Sequence, residues 1–498
     1  MSNDVKQKHN DFTPTLGYIT TVSIVVGGVI GSGIFKKPAS MALQLGSPEL
    51  MLFVWILAGV LTLFGALTNA EVAGMISETG GQYAFFREMY GNFTAYLYGW
   101  SMFSVVQTAS IASITYIFSD SVNALYPLPH LSAHAETFSF TIPFIGAIFP
   151  LKDIGVKLVT VAAILLLTGI NYRGVALGGR VQVLFTALKV AALFLVVILA
   201  FVMGTGSINN FSTDMILPNG ASAVPEGWAL VSAIVMALSG AFWAYDGWNN
   251  ITYIAGEVKD PSRTIPKSLF TGMMIIIAVY VLINLAYLLI MPVQEMSQSS
   301  LVAVDVMKKL FDSISPGMAS LASGFIAAAI MISTFGTSNG TILVSSRVYY
   351  AMAKEKLFFS SLGKIHEDYK TPGNALLIQG IWSSILVFSG TFDTLTDMLI
   401  FVSWVFYAMG AAGIFILRKS RPEAPRPYKV WGYPYVPAIF VIFATGFVLY
   451  TLYNDISMYI AGTTPIINSV FGIFLVALGI PFYLYFRKAQ HTQSTHSQ

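Results

Sequence analysis

Long apolar runs separated by short polar stretches recur along the chain from Thr15 to Phe486. Twelve can be read, at 15–44, 49–76, 92–120, 153–171, 179–203, 228–256, 267–291, 317–353, 374–390, 394–418, 433–452 and 463–486. Each approaches the ~20 residues that carry a helix across the hydrocarbon core. The pattern predicts an all-α polytopic membrane protein with 12 transmembrane helices and no soluble domain. The longest intervening stretches, near 121–152 and 204–227, hold turn-forming residues without a block of charge. The basic, proline-rich RKSRPEAPRPYKVWGYP (418–434) reads as a hinge before the last two spans. Residues 1–14 and 489–498 read as polar tails, and no cleavable leader is recognisable in the first of them.

Two runs are interrupted near their midpoints. VGGVIGSGIFKKP (26–38) has four glycines and a serine within seven positions. Each glycine in a helix interior is unfavourable by about 1 kcal/mol relative to alanine. The sixth run carries WAYDGWNN (243–250), with Asp246-Gly247 near its centre. Runs one and six open successive blocks of five, 15–203 and 228–418, with 433–486 left for helices 11 and 12. Separated by an odd number of spans, they run in opposite directions. Interrupted segments at corresponding positions of two halves point to a transporter site between inverted repeats. The expected fold is a 5+5 inverted repeat with broken helices 1 and 6.

Alone, Gly27 and Gly31 also fit a GxxxG packing pair. Taken with the second interruption, unwinding accounts for both. A break at Gly31-Ser32-Gly33 frees the N–H groups of Ser32, Gly33 and Ile34 to face an anion. The carbonyls near Val29 and Ile30 face a cation. An α-amino acid carries both charges on one carbon. Around the second break stand Trp243, Ala244, Tyr245, Asp246 and Asn249.

A carboxylate at the bilayer centre costs roughly 3 kcal/mol and is by default a functional candidate. Asp246 reads either as a substrate group or as a partner for Lys189 or a helix cap. Trp243 reads as a lid or as core filling, and Asn249 as a ligand or the cap of the next half-helix. Lys189 lies about eight residues, roughly 12 Å, inside the fifth run. It either snorkels to the surface or stands as a fixed ammonium beside the breaks. Glu71 reads as an interfacial acid, capping or paired with a loop base. Arg347 reads as an inner-face anchor.

Composition agrees with the pattern: 55% of the 498 residues are hydrophobic and 10% charged, where soluble domains carry roughly 25%. With no cysteine, disulfides, thiol nucleophiles and zinc–thiolate sites are excluded. His9, His130, His134, His366, His491 and His496 all fall outside the apolar runs, so no membrane histidine can bind metal or relay protons. Neither a cofactor nor a metal is expected. An intramembrane enzyme would need a nucleophile or base constellation, which is missing, and no catalytic residue is assigned. A channel would favour a continuous polar pore over two breaks with an aromatic at one of them.

Twenty of the 27 Lys and Arg residues fall in loops and tails of one side and six on the other, Lys189 lying within a span. By the positive-inside rule both termini are cytoplasmic. Lys36-Lys37 runs against this distribution, and the sequence alone offers no reason for it.

Five stretches together resemble the APC superfamily and, within it, the L-type amino acid transporter family. They are GGVIGSGIFKKP (27–38), NAEVAGMISETGGQYAFFREMYG (69–91), VQVLFTALK (181–189), FWAYDGWNNITYIAGEVKDPSRTIPKS (242–268) and FGTSNGTILVSSRVYYAMAKEK (335–356). The resemblance implies alternating access around a midplane amino acid site. The amides of Gly31, Ser32 and Gly33 would hold the carboxylate. The carbonyls of Val29, Ile30 and Trp243 would hold the amine, with Trp243 as gate. Asp246 resembles the acidic variant of a position that helps cationic substrates bind in one branch. Lys189 matches a family lysine standing in a sodium site, implying sodium-independent exchange. Small neutral L-amino acids are the expected substrates, and Asp246 leaves cationic ones open. A proton-coupled amino acid symporter remains the alternative. Animal members pair with a glycoprotein through an outer-loop cysteine that this chain lacks, so no disulfide-linked ancillary subunit is expected. The resemblance favours a stand-alone carrier of the bacterial inner membrane, a monomer or weak oligomer. Its partners are amino acid substrates and membrane lipids, with no nucleic acid.

Overall fold

The computed structural model describes residues 14–173, 178–203, 206–312 and 315–495. The principal helices are α1 (Tyr18–Val29), α2 (Gly33–Leu45), α3 (Pro48–Met75), α4 (Gln82–Tyr90) and α5 (Asn92–Leu125, with a π turn at Met102–Val106). Then come α6 (Ile154–Tyr172), α7 (Gly178–Val202), α8 (Gly227–Tyr245), a 3₁₀ segment (Trp248–Glu257), α9 (Pro261–Ile290) and α10 (Pro316–Lys354). The chain continues through α11 (Gly373–Val387), α12 (Phe392–Ser420), α13 (Tyr435–Ile460), α14 (Asn468–Ala477) and α15 (Gly479–Thr495). Pro48, Pro261 and Pro316 stand at the helix starts, where a missing N–H costs nothing.

Among the described residues, ten helical stretches are long and apolar enough to cross a membrane. Two shorter apolar helices, Thr186–Val202 and Gly373–Val387, occupy the places of the fifth and ninth expected runs. The molecule is an all-α polytopic membrane protein.

Both expected breaks are present. Ile30 leaves the helical region at φ −69° and ψ 88°, and residues 30–32 bend before α2 begins. Asp246 is extended at ψ 159°, and Gly247 has φ 95°. That left-handed backbone favours glycine because a Cβ would crowd the following carbonyl. Each half of the first broken helix packs on a half of the second: α2 against α8, and α1 against the 3₁₀ segment. Gly33 is required for one of these contacts, since a Cβ there would lie 2.5 Å from the Ala244 Cα. The unwinding reading of the glycine cluster is therefore realised, and the tightest helix approach falls at Gly33 rather than at the expected pair Gly27 and Gly31.

The outer stretch 121–152 contains more structure than its turn residues suggest. A short hairpin pairs β1 (Phe140–Ile142) with β2 (Gly146–Ile148), antiparallel, Thr141 opposite Ala147. It docks on the approach to α14: Ala147 N–H donates to Pro465 O at 2.8 Å, and Ile467 N–H to Ile145 O at 2.8 Å. The hinge expected at 418–434 is instead fastened down. Glu71 of α3 is completely buried and accepts from Arg418 at 2.9 and 2.7 Å and from the Val430 amide at 2.7 Å. Arg426 adds a contact at 3.3 Å. An interfacial acid with a loop base is thus the right description, but a buried one that pins the loop. Removing one partner of a buried ion pair costs roughly 3–5 kcal/mol.

Candidate functional site

Where the two breaks meet they leave a small cavity of about 20 Å³, lined by Gly31, Ser32 and Gly33 on one side and Trp243, Asp246 and Gly247 on the other. Ser110 of α5 and Thr337 and Thr341 of α10 complete its polar wall. The breaks face each other closely: a Cβ on Gly247 would lie 3.1 Å from the Gly28 carbonyl oxygen. The first amides of α2, including Gly33 and Ile34, have no acceptor within their own helix. Two side-chain groups on the wall, Ser32 Oγ and Trp243 Nε1, are buried without a hydrogen-bond partner. A buried polar group left unpaired costs about 1–3 kcal/mol, and both of these groups are free to take a polar partner in the cavity.

Lys189 does not snorkel. Its side chain is buried, and Nζ donates to Gly27 O (2.6 Å), Ile30 O (2.7 Å) and Thr337 Oγ1 (2.9 Å). The ammonium is held in a cage of neutral oxygens that straddles the end of α1. Ile30 O is thereby occupied, and Val29 O accepts from Tyr280 Oη at 3.1 Å. Tyr280 of α9 also donates to Ala244 O at 2.8 Å, so one phenol bridges the two broken helices. The cation that Ile30 O faces in this structure is the protein's own lysine, whereas Val29 O faces a neutral phenol.

Asp246 lines the cavity and is partly exposed to it. Its Oδ1 accepts from Tyr407 Oη of α12 at 2.7 Å, so its partner is a tyrosine and not Lys189. Trp243 is buried, its ring edge-on to Phe392 with centroids 6.1 Å apart. Its carbonyl accepts from the Asp246 amide at 3.2 Å.

Five expected ligands, Ile30, Ile34, Ala244, Tyr245 and Asn249, are not on the cavity wall. Asn249 Nδ2 donates to Gln82 Oε1 (2.8 Å) and Tyr253 Oη (3.1 Å), a buried network with Tyr98 behind the cavity. It does not cap the following segment, whose N-cap is Gly247. Asn250 is the asparagine on the cavity wall, its Oδ1 accepting from Gln107 Nε2 at 3.1 Å. Tyr245 is fully buried and donates to Trp55 O at 3.2 Å. Ala244 faces Gly33, and Ile34 is fully buried. Sequence reasoning missed Asn250, Thr337, Ser110, Tyr280 and Tyr407. Thr337 and Asn250 lie inside quoted motifs, but no periodicity distinguishes them; the other three sit in ordinary apolar runs.

Arg347 is buried, its Nε 3.4 Å from Glu257 Oε1 at the end of the 3₁₀ segment. Nearby, Arg87 of α4 joins Glu78 (2.9 Å) and Glu355, and Tyr83 donates to Glu355 at 2.9 Å. These pairs tie α4, the 3₁₀ segment and α10 together at one end of the bundle.

Paired helix breaks around a polar cavity, inside a polytopic helical bundle, define a membrane carrier architecture. The amino acid permease family model matches residues 16–479, and the chain belongs to that family. Among its relatives, the human b(0,+)-type amino acid transporter 1 is 33% identical over 417 residues, covering 83% of this chain and 78% of its own length. The mouse protein of that name is 29% identical over 97% of this chain and 90% of its own length. Human large neutral amino acids transporter small subunit 2 is 30% identical over 94% of this chain and 79% of its own. The family and these relatives are transporters rather than enzymes.

Proposed function

We propose that this protein is a sodium-independent amino acid exchanger working by alternating access between two five-helix repeats, 15–203 and 228–418. The single observation that carries the reading is Lys189 seated among Gly27 O, Ile30 O and Thr337 Oγ1. Such an oxygen cage, at the end of a broken helix, is the kind of place where a small inorganic cation would bind. Filling it with a tethered ammonium removes the need for a diffusible one. The substrate carboxylate sits at the amides of Ser32, Gly33 and Ile34, favoured by the positive end of α2. Its amine sits toward Val29 O, beneath Trp243. Asp246 faces the side chain, so small neutral L-amino acids, with cationic ones admitted by that carboxylate, are the substrate class; the names of the relatives support amino acid transport.

We place the chain in a bacterial inner membrane with both termini cytoplasmic, on the charge distribution of its loops. The test is uptake of radiolabelled alanine and arginine into proteoliposomes. Uptake is expected only when the lumen holds unlabelled amino acid, and replacing sodium by choline leaves it unchanged. Uptake into empty liposomes driven by a pH gradient overturns exchange in favour of proton symport. One observation favours that second reading: the recorded acceptors of Lys189 are all neutral, so losing its proton would strand no counter-charge.

A further inference from the structure

Lys36 and Lys37, the pair that runs against the charge distribution, lie in the first turns of α2, beyond the cavity. Lys36 Nζ is 2.5 Å from Asp120 Oδ2 near the end of α5. Lys37 Nζ is 2.7 Å from Asp393 Oδ1 and donates to Thr396 Oγ1 at 3.1 Å, both on α12. Lys37 is only 3% exposed. Its stem runs along α8, where a Cβ on Gly240 would lie 3.3 Å from Lys37 Cδ.

These charges do not stand apart from the site. Both ammonium groups lie against the ring of Phe392, at 5.2 and 4.8 Å from its centroid. Phe392, buried in turn, meets the edge of Trp243, which lines the cavity. Moving away from the cavity, the order is Trp243, Phe392, then two ammonium groups clasped by carboxylates from two other helices. A hydrophobic plug under a charged clasp is a closure that can open only if α2 parts from α5 and α12.

We propose that Lys36 and Lys37 form an ionic latch that holds the outer end of the cavity shut over Phe392 and Trp243. Its purpose rests on the transport reading above, and its existence as a closure does not. A half-buried Lys36 and a buried Lys37, each clasped by a carboxylate, also explain why the pair sits on the side otherwise poor in base: each has its own counter-charge.

Because the chain has no cysteine, a single reporter is free of background. Ser110→Cys, on the cavity wall, is expressed in cells and treated from outside with a membrane-impermeant methanethiosulfonate. Adding Lys36→Ala and Lys37→Ala should raise the labelling rate roughly 5- to 30-fold, the factor by which a two-state equilibrium moves when about 1–2 kcal/mol is lost from one state. An unchanged rate overturns the latch. The exchanged pair Lys36→Asp/Asp120→Lys guards against simple misfolding: it should label more slowly than Lys36→Ala, and labelling as fast as that variant counts against the proposal. Separately, oxidising Lys36→Cys/Asp120→Cys to a disulfide should stop amino acid exchange in proteoliposomes, and reduction should restore it. Exchange that continues with the bond formed overturns the latch. If the unmodified protein exchanges no amino acid, the transport reading fails, while the labelling experiment still decides the closure.

Discussion

The two helix breaks solve one problem by opposite means. At the first, between α1 and α2, the stranded carbonyls are taken by side chains from other helices: Lys189 on Gly27 O and Ile30 O, Tyr280 on Val29 O. At the second, the chain largely supplies itself. Gly247 adopts the left-handed turn, and Asp246 N–H donates back to Trp243 O. From outside, this break takes two phenols, Tyr407 on the Asp246 carboxylate and Tyr280 on Ala244 O. One break is held open by a borrowed charge, the other by its own residues. It follows that the first is the more sensitive to remote substitution, and the second to substitution within itself.

The largest effect should come from Lys189→Ala, which empties the cage at the first break and leaves three oxygens buried without a donor. Each buried oxygen left unpaired costs about 1–3 kcal/mol, and amino acid exchange should fall at least about 100-fold. Folded monodisperse protein with unchanged exchange would show that the first break stands without its borrowed charge. Gly33→Val comes next. The new side chain must displace the Ala244 backbone, 2.5 Å from its Cβ position, and overpacking of this kind costs about 1–3 kcal/mol. Substrate affinity, measured by scintillation proximity, should fall below detection; normal affinity would place the ligand away from α2.

A smaller and more selective effect is expected at the self-sufficient break. Asp246→Asn keeps the Tyr407 contact but removes the charge, so arginine uptake should fall about 10-fold more than alanine uptake, corresponding to roughly 1.4 kcal/mol. Equal losses for both substrates would mean that Asp246 serves the break and not selectivity. Smallest of all, Tyr280→Phe removes the one group shared by the two breaks. A hydrogen bond of this kind contributes about 0.5–1.5 kcal/mol, so a modest drop in melting temperature is expected, with exchange retained. A loss as great as that of Lys189→Ala would mean that the two breaks act as one unit.

Much of this comparison was legible in the sequence, because it depends on residue types that are anomalous where they stand. Glycines in a membrane helix, an aspartate at its midpoint and a lysine inside an apolar run each cost free energy, so each advertises itself. The fold followed from run lengths and from the matching positions of the two interruptions. What stayed hidden were groups that are ordinary in their own helices. Tyr280, Tyr407, Thr337 and Ser110 matter only because distant helices bring them to the cavity, and Asn249 and Asn250 differ only by the roughly 120° turn between neighbours on a 3₁₀ helix. The two lysines after the first break could not be interpreted until Asp120 and Asp393, from other spans, were placed beside them.

Glu71 has a consequence for the order in which the molecule is made. Its partner Arg418 lies 347 residues later in the chain, and Val430 later still. During N- to C-terminal synthesis, α3 therefore enters the membrane with an acid that finds no native counter-ion until nearly the whole chain has emerged. The early helices can insert, but they cannot reach their final packing alone. A nascent chain stopped before Arg418 should remain exposed to quality-control proteases, however complete its first five spans.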